Sequence, residues 1–190
     1  MSLLYLIVGL VAAQRLVELG IASRNTKWLL THGAQEVGRR HYPLFVLLHT
    51  GWLLAVFVFI EVDAPVYYWW LILFLVLQVG RIWVMTSLGH FWTTRIITLP
   101  DAPSVNRGPY RFCRHPNYVI VVGEIAALPL AFGAWELALI FSLLNGALLI
   151  HRVKVENSVL RTRRKIEPDI TLDSGDPNDY AVPSEGSEER

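Results

Sequence analysis

The 190-residue chain is 53 % hydrophobic and only 17 % charged, with positive mean hydropathy, whereas a soluble domain carries nearer a quarter charged. That composition excludes an ordinary water-soluble domain, and a formal net charge of +1 hides a strong asymmetry between basic loops and an acidic carboxyl end; no nucleic-acid partner is expected. A single cysteine, Cys113, excludes an internal disulfide and any multi-cysteine metal site.

Apolar runs of spanning length occupy roughly 2–22, 43–61 and 66–86, and a longer one covers 117–151. The first is interrupted by Gln14, Arg15 and Glu18 and lacks a small-residue cleavage site, so it is expected to be a retained span. The last is too long for one helix, and "LPLAFGAWE" at 128–136 supplies Pro129 and Gly133 as breakers. The expected fold is an all-α integral membrane protein of about five transmembrane helices, the last two forming a hairpin. Residues 1–165 form the membrane domain, divided into three amino-terminal spans (1–86) and a second half (87–165). From 166 onward eight acids stand against Arg190 among Pro, Gly and Ser, and 166–190 reads as a disordered acidic tail.

Basic residues cluster after the first, third and fifth segments, while the connections near 62–65 and 131–135 contain none. The positive-inside rule then places the amino terminus outside and the basic loops and tail in the cytoplasm. Aromatic pairs such as "YYWW" at 67–70 suit the interface with membrane lipids.

Two blocks concentrate chemistry. In "NRGPYRFCRHPNY" (106–118), Pro116 biases His115 toward an extended conformation and itself suits the first position of a helix. The first turn would present the amides of Asn117 and Tyr118 beside Arg111 and Arg114, an anion site at the membrane surface; each arginine taken singly reads better as an anchor on lipid phosphate, and it is the constellation with His115 and Tyr118 that favours a site. In "HRVKVENSVL" (151–160), Arg152 and Glu156 are four apart and share a helix face. An exposed pair of this kind contributes only about 0.3–0.5 kcal/mol. Within the spans, Arg15 and Glu18 are spaced to satisfy each other, Arg81 stands alone, and Glu124, without a sequence-local cation, is the stronger functional candidate. His41, His49 and His90 lack ligand spacing, so no metal is expected. Neither a dinucleotide fingerprint nor a P-loop is present, so a nucleotide-like cofactor would bind among helices.

"GPYRFCRHPNY" and "RVKVENSVL", separated by an apolar hairpin, resemble the isoprenylcysteine carboxyl methyltransferase family, membrane enzymes that use S-adenosylmethionine; the likeness covers about 80–165. It implies that Ala102, Pro103, Ser104 and Val105, Tyr110, Arg114, His115, Pro116, Asn117, Tyr118 and Glu156 enclose the cofactor, with Arg152 facing the methyl acceptor. His115 or His151 would be the base for an enol or phenol, while a carboxylate needs none. Two departures from the family pattern are Asn157, where a second glutamate is usual, and Ile120, where a glycine is usual. "QRLVELGIASRN", "HYP" and "GHFWTTRIITLP" are similar to a bacterial branch that O-methylates alkylpyrones or related long-chain phenolic lipids. The implied acceptor is therefore lipid-like, prenylcysteine-type or alkylpyrone-type, at the bacterial plasma membrane with the active site facing the cytoplasm. An NADPH-dependent sterol-type reductase, whose members carry a similar "RHPNY" block, and a non-enzymatic membrane scaffold are the competing classes.

Overall fold

The computed structural model describes residues 3–37, 42–99 and 105–166, with side chains through Glu156. Of the expected tail at 166–190, Ile166 is the last residue of the final helix and the rest lies outside the described residues. Five helices carry the fold: α1 (Leu3–Thr31), α2 (Tyr42–Phe59), α3 (Tyr68–Leu88), α4 (Pro116–Leu130) and α5 (Trp135–Ile166). Stretches of α1, α2, α3 and α5 are long and apolar enough to cross a membrane, the α5 stretch ending at Glu156. Their outer surfaces agree with that: Leu10, Leu16, Leu47, Val58, Val76 and Leu143 all stand exposed, as side chains facing lipid would.

Helix α4 is the exception. It has 15 residues, about 22 Å at 1.5 Å per residue, short of the ~30 Å hydrocarbon thickness. It lies between α3 and α5, and its Val121, Ile125 and Leu128 join Leu4, Val8 and Val11 of α1, Leu48, Trp52 and Val56 of α2 and Phe74 of α3 in the main core. The fully buried Trp52 donates its indole N–H to the Ile125 carbonyl at 3.2 Å, pinning α2 to α4. At Gly123 a Cβ would stand 2.7 Å from Leu77 Cδ1, so glycine is what lets α3 and α4 pack this closely.

The antiparallel register of α3 and α4 follows from three contacts: the Tyr67 N–H donates to the Ala131 carbonyl at 2.8 Å, Gly123 faces Leu77, and Gly80 faces Ile120. Carried back, this register sets Pro116 near Val84, about one helical turn (~6 Å) short of the end of α3. The first turn of α4 is therefore recessed relative to its neighbour.

The α4–α5 turn forms where expected, but with different parts. Pro129 lies inside the last turn of α4 and does not end it. The reversal occurs at Gly133, whose φ of +74° is the left-handed conformation that glycine adopts without strain, and the Ala134 N–H closes it on the Pro129 carbonyl at 3.0 Å. Helix α1 also runs nine residues beyond its expected end at 22, because polar Asn25 is buried there and donates to the carbonyls of Gly89 (3.1 Å) and Trp92 (2.8 Å).

Two features were not anticipated. Strands β1 (Gln35–Val37) and β2 (Ile96–Thr98) pair antiparallel, Glu36 opposite Ile97, and tie the loop after α1 to the loop after α3. The charges of the spans also form one buried cluster. Glu18 binds Arg15 and Arg81, each at 2.7 Å, and Glu124 binds the same two arginines at 2.6 and 3.0 Å. Gln78 donates to Glu124 at 3.0 Å and accepts from Gln14 at 2.9 Å. The reading of Glu124 as an unpaired functional candidate is thereby overturned: its cations arrive from α1 and α3, invisible to local spacing.

Candidate active site

The loop before α4 is fixed by contacts that exclude larger residues. Gly108 has φ of +57°, and a Cβ there would fall 2.1 Å from Ser87 Oγ and 3.2 Å from Trp83 Nε1. Arg107 Nε donates to the Ser87 carbonyl at 3.0 Å. Tyr110 packs on Ala22, Val84, Trp92 and Ile120, and burial, reinforced by the Glu156 and Cys113 charges, pushes its phenol well above the usual range. Tyr110 thus stays a protonated donor at any physiological pH.

Helix α4 begins at Pro116 with His115 as its cap, as the proline chemistry predicts. The amide-lined anion site does not form as expected. The Tyr118 N–H already donates to the His115 carbonyl at 3.1 Å, and Arg111 and Arg114 are both exposed.

The groups that converge are side chains from α4 and α5. Tyr118 Oη donates to Glu156 Oε2 and accepts from Arg152 Nε at 2.9 Å. His115 Nδ1 stands 3.7 Å from Glu156 Oε1, and its ring stacks on Tyr118 at 5.3 Å between centroids. Arg152 and Glu156 are therefore joined through a phenol from α4, where an isolated helix would pair them directly. Arg152 Nη2 donates to the Thr94 carbonyl at 2.8 Å, and its guanidinium lies 5.0 Å over the Phe45 ring. Asn117, in the same first turn, has its Oδ1 buried without a hydrogen-bond partner; such an acceptor costs about 1–3 kcal/mol left unmade.

On the other side of Arg152, a shallow open depression is lined by Glu36, Tyr42, Phe45, Arg95, Ile96 and Arg152. Thus Tyr110, His115, Pro116, Asn117, Tyr118, Arg152 and Glu156 come together at one corner. Val105 is half-buried in the approaching loop, while Ala102, Pro103 and Ser104 lie outside the described residues. Thr94 and Phe45, which hold Arg152, were missed. The only hint was the "GHFWTTRIITLP" block, which carries no chemistry of recognised spacing.

The family model for isoprenylcysteine carboxyl methyltransferase matches residues 70–162, a span containing most of α3, all of α4, the described part of the joining loop and the Arg152–Glu156 turn. A Bacillus subtilis protein, "Uncharacterized protein YpbQ", is 32 % identical over 161 residues, 83 % of this chain and 96 % of that one. The chain belongs to the isoprenylcysteine carboxyl methyltransferase family. A Haemophilus influenzae "Uncharacterized protein" is 26 % identical over 156 residues, covering 79 % of this chain and 90 % of its own. No solved structure matches. As a member of an isoprenylcysteine carboxyl methyltransferase family with four apolar helices of spanning length, the chain is a membrane protein of a methyltransferase kind. One departure from the family's pattern has a physical counterpart: Ile120 is buried against Gly80, where a Cβ would meet Ile120 Cδ1 at 3.4 Å. The side chain of Asn157 lies outside the described residues.

Proposed function

We propose that the protein is an S-adenosylmethionine-dependent O-methyltransferase acting on an ionisable oxygen of a lipid-like acceptor. The observation that carries this reading is the bridge in which Tyr118 joins Arg152 to Glu156 at the start of α4. It sets a carboxylate and a guanidinium on either side of one phenol, with the depression beyond the guanidinium. The cofactor's ammonium, amino and hydroxyl groups are hydrogen-bond donors, and the corner offers acceptors in kind: the unpaired Asn117 Oδ1 and the partly exposed Glu156 carboxylate. The residues present fit the group.

When bound, S-adenosylmethionine supplies a methyl on a sulfonium, so that an O–C bond forms as the S–C bond breaks and the electron pair stays on sulfur. The chain's own work is alignment. Glu156, Asn117, His115 and Tyr110 hold the cofactor side. Arg152, already fixed by Tyr118, Thr94 and Phe45, receives the acceptor oxygen and keeps it anionic. A carboxylate acceptor releases no proton; from an enol or phenol, His115 takes the proton, with Glu156 positioned 3.7 Å from Nδ1 to stabilise the resulting cation.

Titration of purified protein in detergent tests the reading: S-adenosylmethionine binds, NADPH does not, and Glu156→Ala weakens the former. Binding of NADPH in preference would overturn it in favour of a reductase. The basic loops support a cytoplasmic site in a bacterial plasma membrane. In a Cys113→Ser background, cysteines at the exposed Asp63 and Glu136 should then react with an impermeant reagent from outside the cell, and one at exposed Arg24 should not; the reverse pattern would invert the topology.

A further inference from the structure

One of the two hydrogen bonds that orient Arg152 comes from backbone with no regular structure of its own. Arg152 donates from Nε to Tyr118 Oη at 2.9 Å and from Nη2 to the Thr94 carbonyl at 2.8 Å, two nitrogens on one edge of a planar, rigid fork. Its face lies 5.0 Å over the Phe45 ring, so edge and face together fix the plane of the group. Tyr118 stands on a helix. Thr94 lies instead in the bend between the helical turn Gly89–Phe91 and β2, where neither helix nor strand ladder sets the direction of its carbonyl.

What sets that direction is a chain of side-chain contacts around the bend. The Thr94 hydroxyl donates to Tyr42 Oη at 3.3 Å, and the Thr93 hydroxyl donates to the Arg95 carbonyl at 2.7 Å. Arg95 Nη1 donates to both Glu36 oxygens at 3.1 and 3.0 Å, and the Arg95 guanidinium lies 4.8 Å over the Tyr42 ring. Tyr42 and Phe45 are one turn apart on α2, so one stretch of that helix supports both arginines. Glu36 is itself placed by the strand pairing, opposite Ile97. The Arg95 and Glu36 side chains are 34 % and 13 % exposed, and a partly solvated pair of this kind contributes little to stability; its consequence is where it puts the neighbouring peptide. Glu36, Tyr42 and Phe45 all lie outside the 70–162 match to the family model. We infer that Glu36 is a positioning residue for Arg152, acting through Arg95 and the Thr94 carbonyl, so that the loop after α1 sets the orientation of a guanidinium on α5. Resting on the methyltransferase reading, this makes β1 a part of the acceptor side of the site and not of the cofactor side, because Glu156 stands beyond the Tyr118 bridge.

Nuclear magnetic resonance of isotope-labelled arginine side chains tests the link on full-length protein in detergent micelles. The Arg152 Nε–H signal is assigned by its loss in Arg152→Lys, and Arg81, bound to Glu18, serves as internal reference. Rotation about the Arg152 Nε–Cζ bond should be slow in the wild type. Glu36→Gln and Arg95→Gln should each speed it by about 3- to 10-fold, the worth of one net hydrogen bond, with Arg81 unmoved. Tyr118→Phe, which deletes the other bond on the same edge, should speed it comparably and shows that the measurement responds. A merely structural pair would lower the unfolding temperature and leave Arg152 at its wild-type rate in the folded protein; that result would overturn the inference, as would an equal change at Arg81. Titration of the same samples with S-adenosylmethionine separates the inference from the reading beneath it. Affinity should be the same in wild type and Glu36→Gln, and its loss in the variant would overturn the assignment of β1 to the acceptor side. Wild-type protein that binds no S-adenosylmethionine would sink the methyltransferase reading, while the rotation rates would still decide the link from Glu36 to Arg152.

Discussion

The molecule contains two clusters of arginine and glutamate built to opposite plans. In the cluster between α1, α3 and α4, Arg15, Arg81, Glu18 and Glu124 bind one another directly, and every carboxylate oxygen has a partner. Glu18 and Glu124 are 4 % and 1 % exposed. In the cluster between α4 and α5, Arg152 and Glu156 are held apart by the Tyr118 phenol, Glu156 remains 28 % exposed, and a buried Asn117 oxygen has no partner. Carboxylates whose every oxygen is bound by a cation or amide in place have no acceptor left for a ligand, whereas a carboxylate held from its cation by a third group keeps one; the closed cluster's own unpaired atom is a donor, the buried Arg15 Nε. Burial and charge alone do not separate a structural cluster from a site; the completeness of the carboxylate pairing does.

The largest effect should come from breaking the closed cluster. Glu124→Ala leaves two guanidiniums facing one carboxylate, which by analogy with other buried pairs costs about 3–5 kcal/mol. Thermal unfolding in detergent should show it, with S-adenosylmethionine affinity per folded molecule unchanged. Replacing Arg81 with Met and Glu124 with Leu together leaves a neutral Arg15–Glu18 pair and should recover much of the loss. A Glu124→Ala variant that unfolds like wild type but no longer binds cofactor would erase the distinction between the clusters.

In the open cluster the balance should reverse. Glu156→Gln should weaken S-adenosylmethionine binding by about 10- to 100-fold, the range for a hydrogen bond to a charged acceptor, while moving the unfolding temperature little. Wild-type affinity by calorimetry would remove Glu156 from the site. The smallest effect belongs to the bridge. Tyr118→Phe keeps the ring that stacks on His115 and deletes only the hydroxyl, so turnover should fall about 3- to 10-fold, corresponding to ~0.5–1.5 kcal/mol. Because Arg152 then loses the group joining it to Glu156, the effects of Tyr118→Phe and Glu156→Gln should be non-additive in a double-mutant cycle; strict additivity would mean that the bridge does not couple them.

Much of the scaffold was legible from the chain because its signals are local. Apolar runs located all five helices, Pro116 marked the start of α4, and Gly133 the reversal before α5. The convergence of His115, Tyr118, Arg152 and Glu156 was legible only as likeness to a family, since spacing within α5 predicts a direct Arg152–Glu156 contact and gives no hint of the Tyr118 hydroxyl between them. Partners far apart in the chain escaped. Arg15 meets Glu124 across 109 residues, and no periodicity reports such a pair. Strands of three residues are too short to show alternation, so neither the sheet nor Arg95 above Tyr42 could be anticipated. The fate of Pro129 shows a different limit. A proline in the last turn of a helix still removes an N–H, here the one that would reach the Ile125 carbonyl, but the Trp52 indole donates to that carbonyl instead, so its position marks the neighbourhood of a boundary and not the boundary itself.

The shortness of α4 sets the medium in which the corner works. Its first turn begins about one turn inside the end of α3, so the Tyr118 bridge lies below the level at which its neighbours emerge. In the proposed methyl transfer a sulfonium and an oxyanion give two uncharged products and lose charge along the way, and such reactions are retarded by solvents that stabilise separated ions. Between unit charges 4 Å apart the attraction is about 1 kcal/mol in water and about 4 kcal/mol at an effective dielectric of 20. A polarity-sensitive fluorophore on Cys113, next to this corner, should therefore emit to the blue of the same dye on exposed Ser23; equal emission would mean that water reaches the corner freely. On this account the length of α4, through the depth at which it starts, acts as a choice of solvent for the reaction.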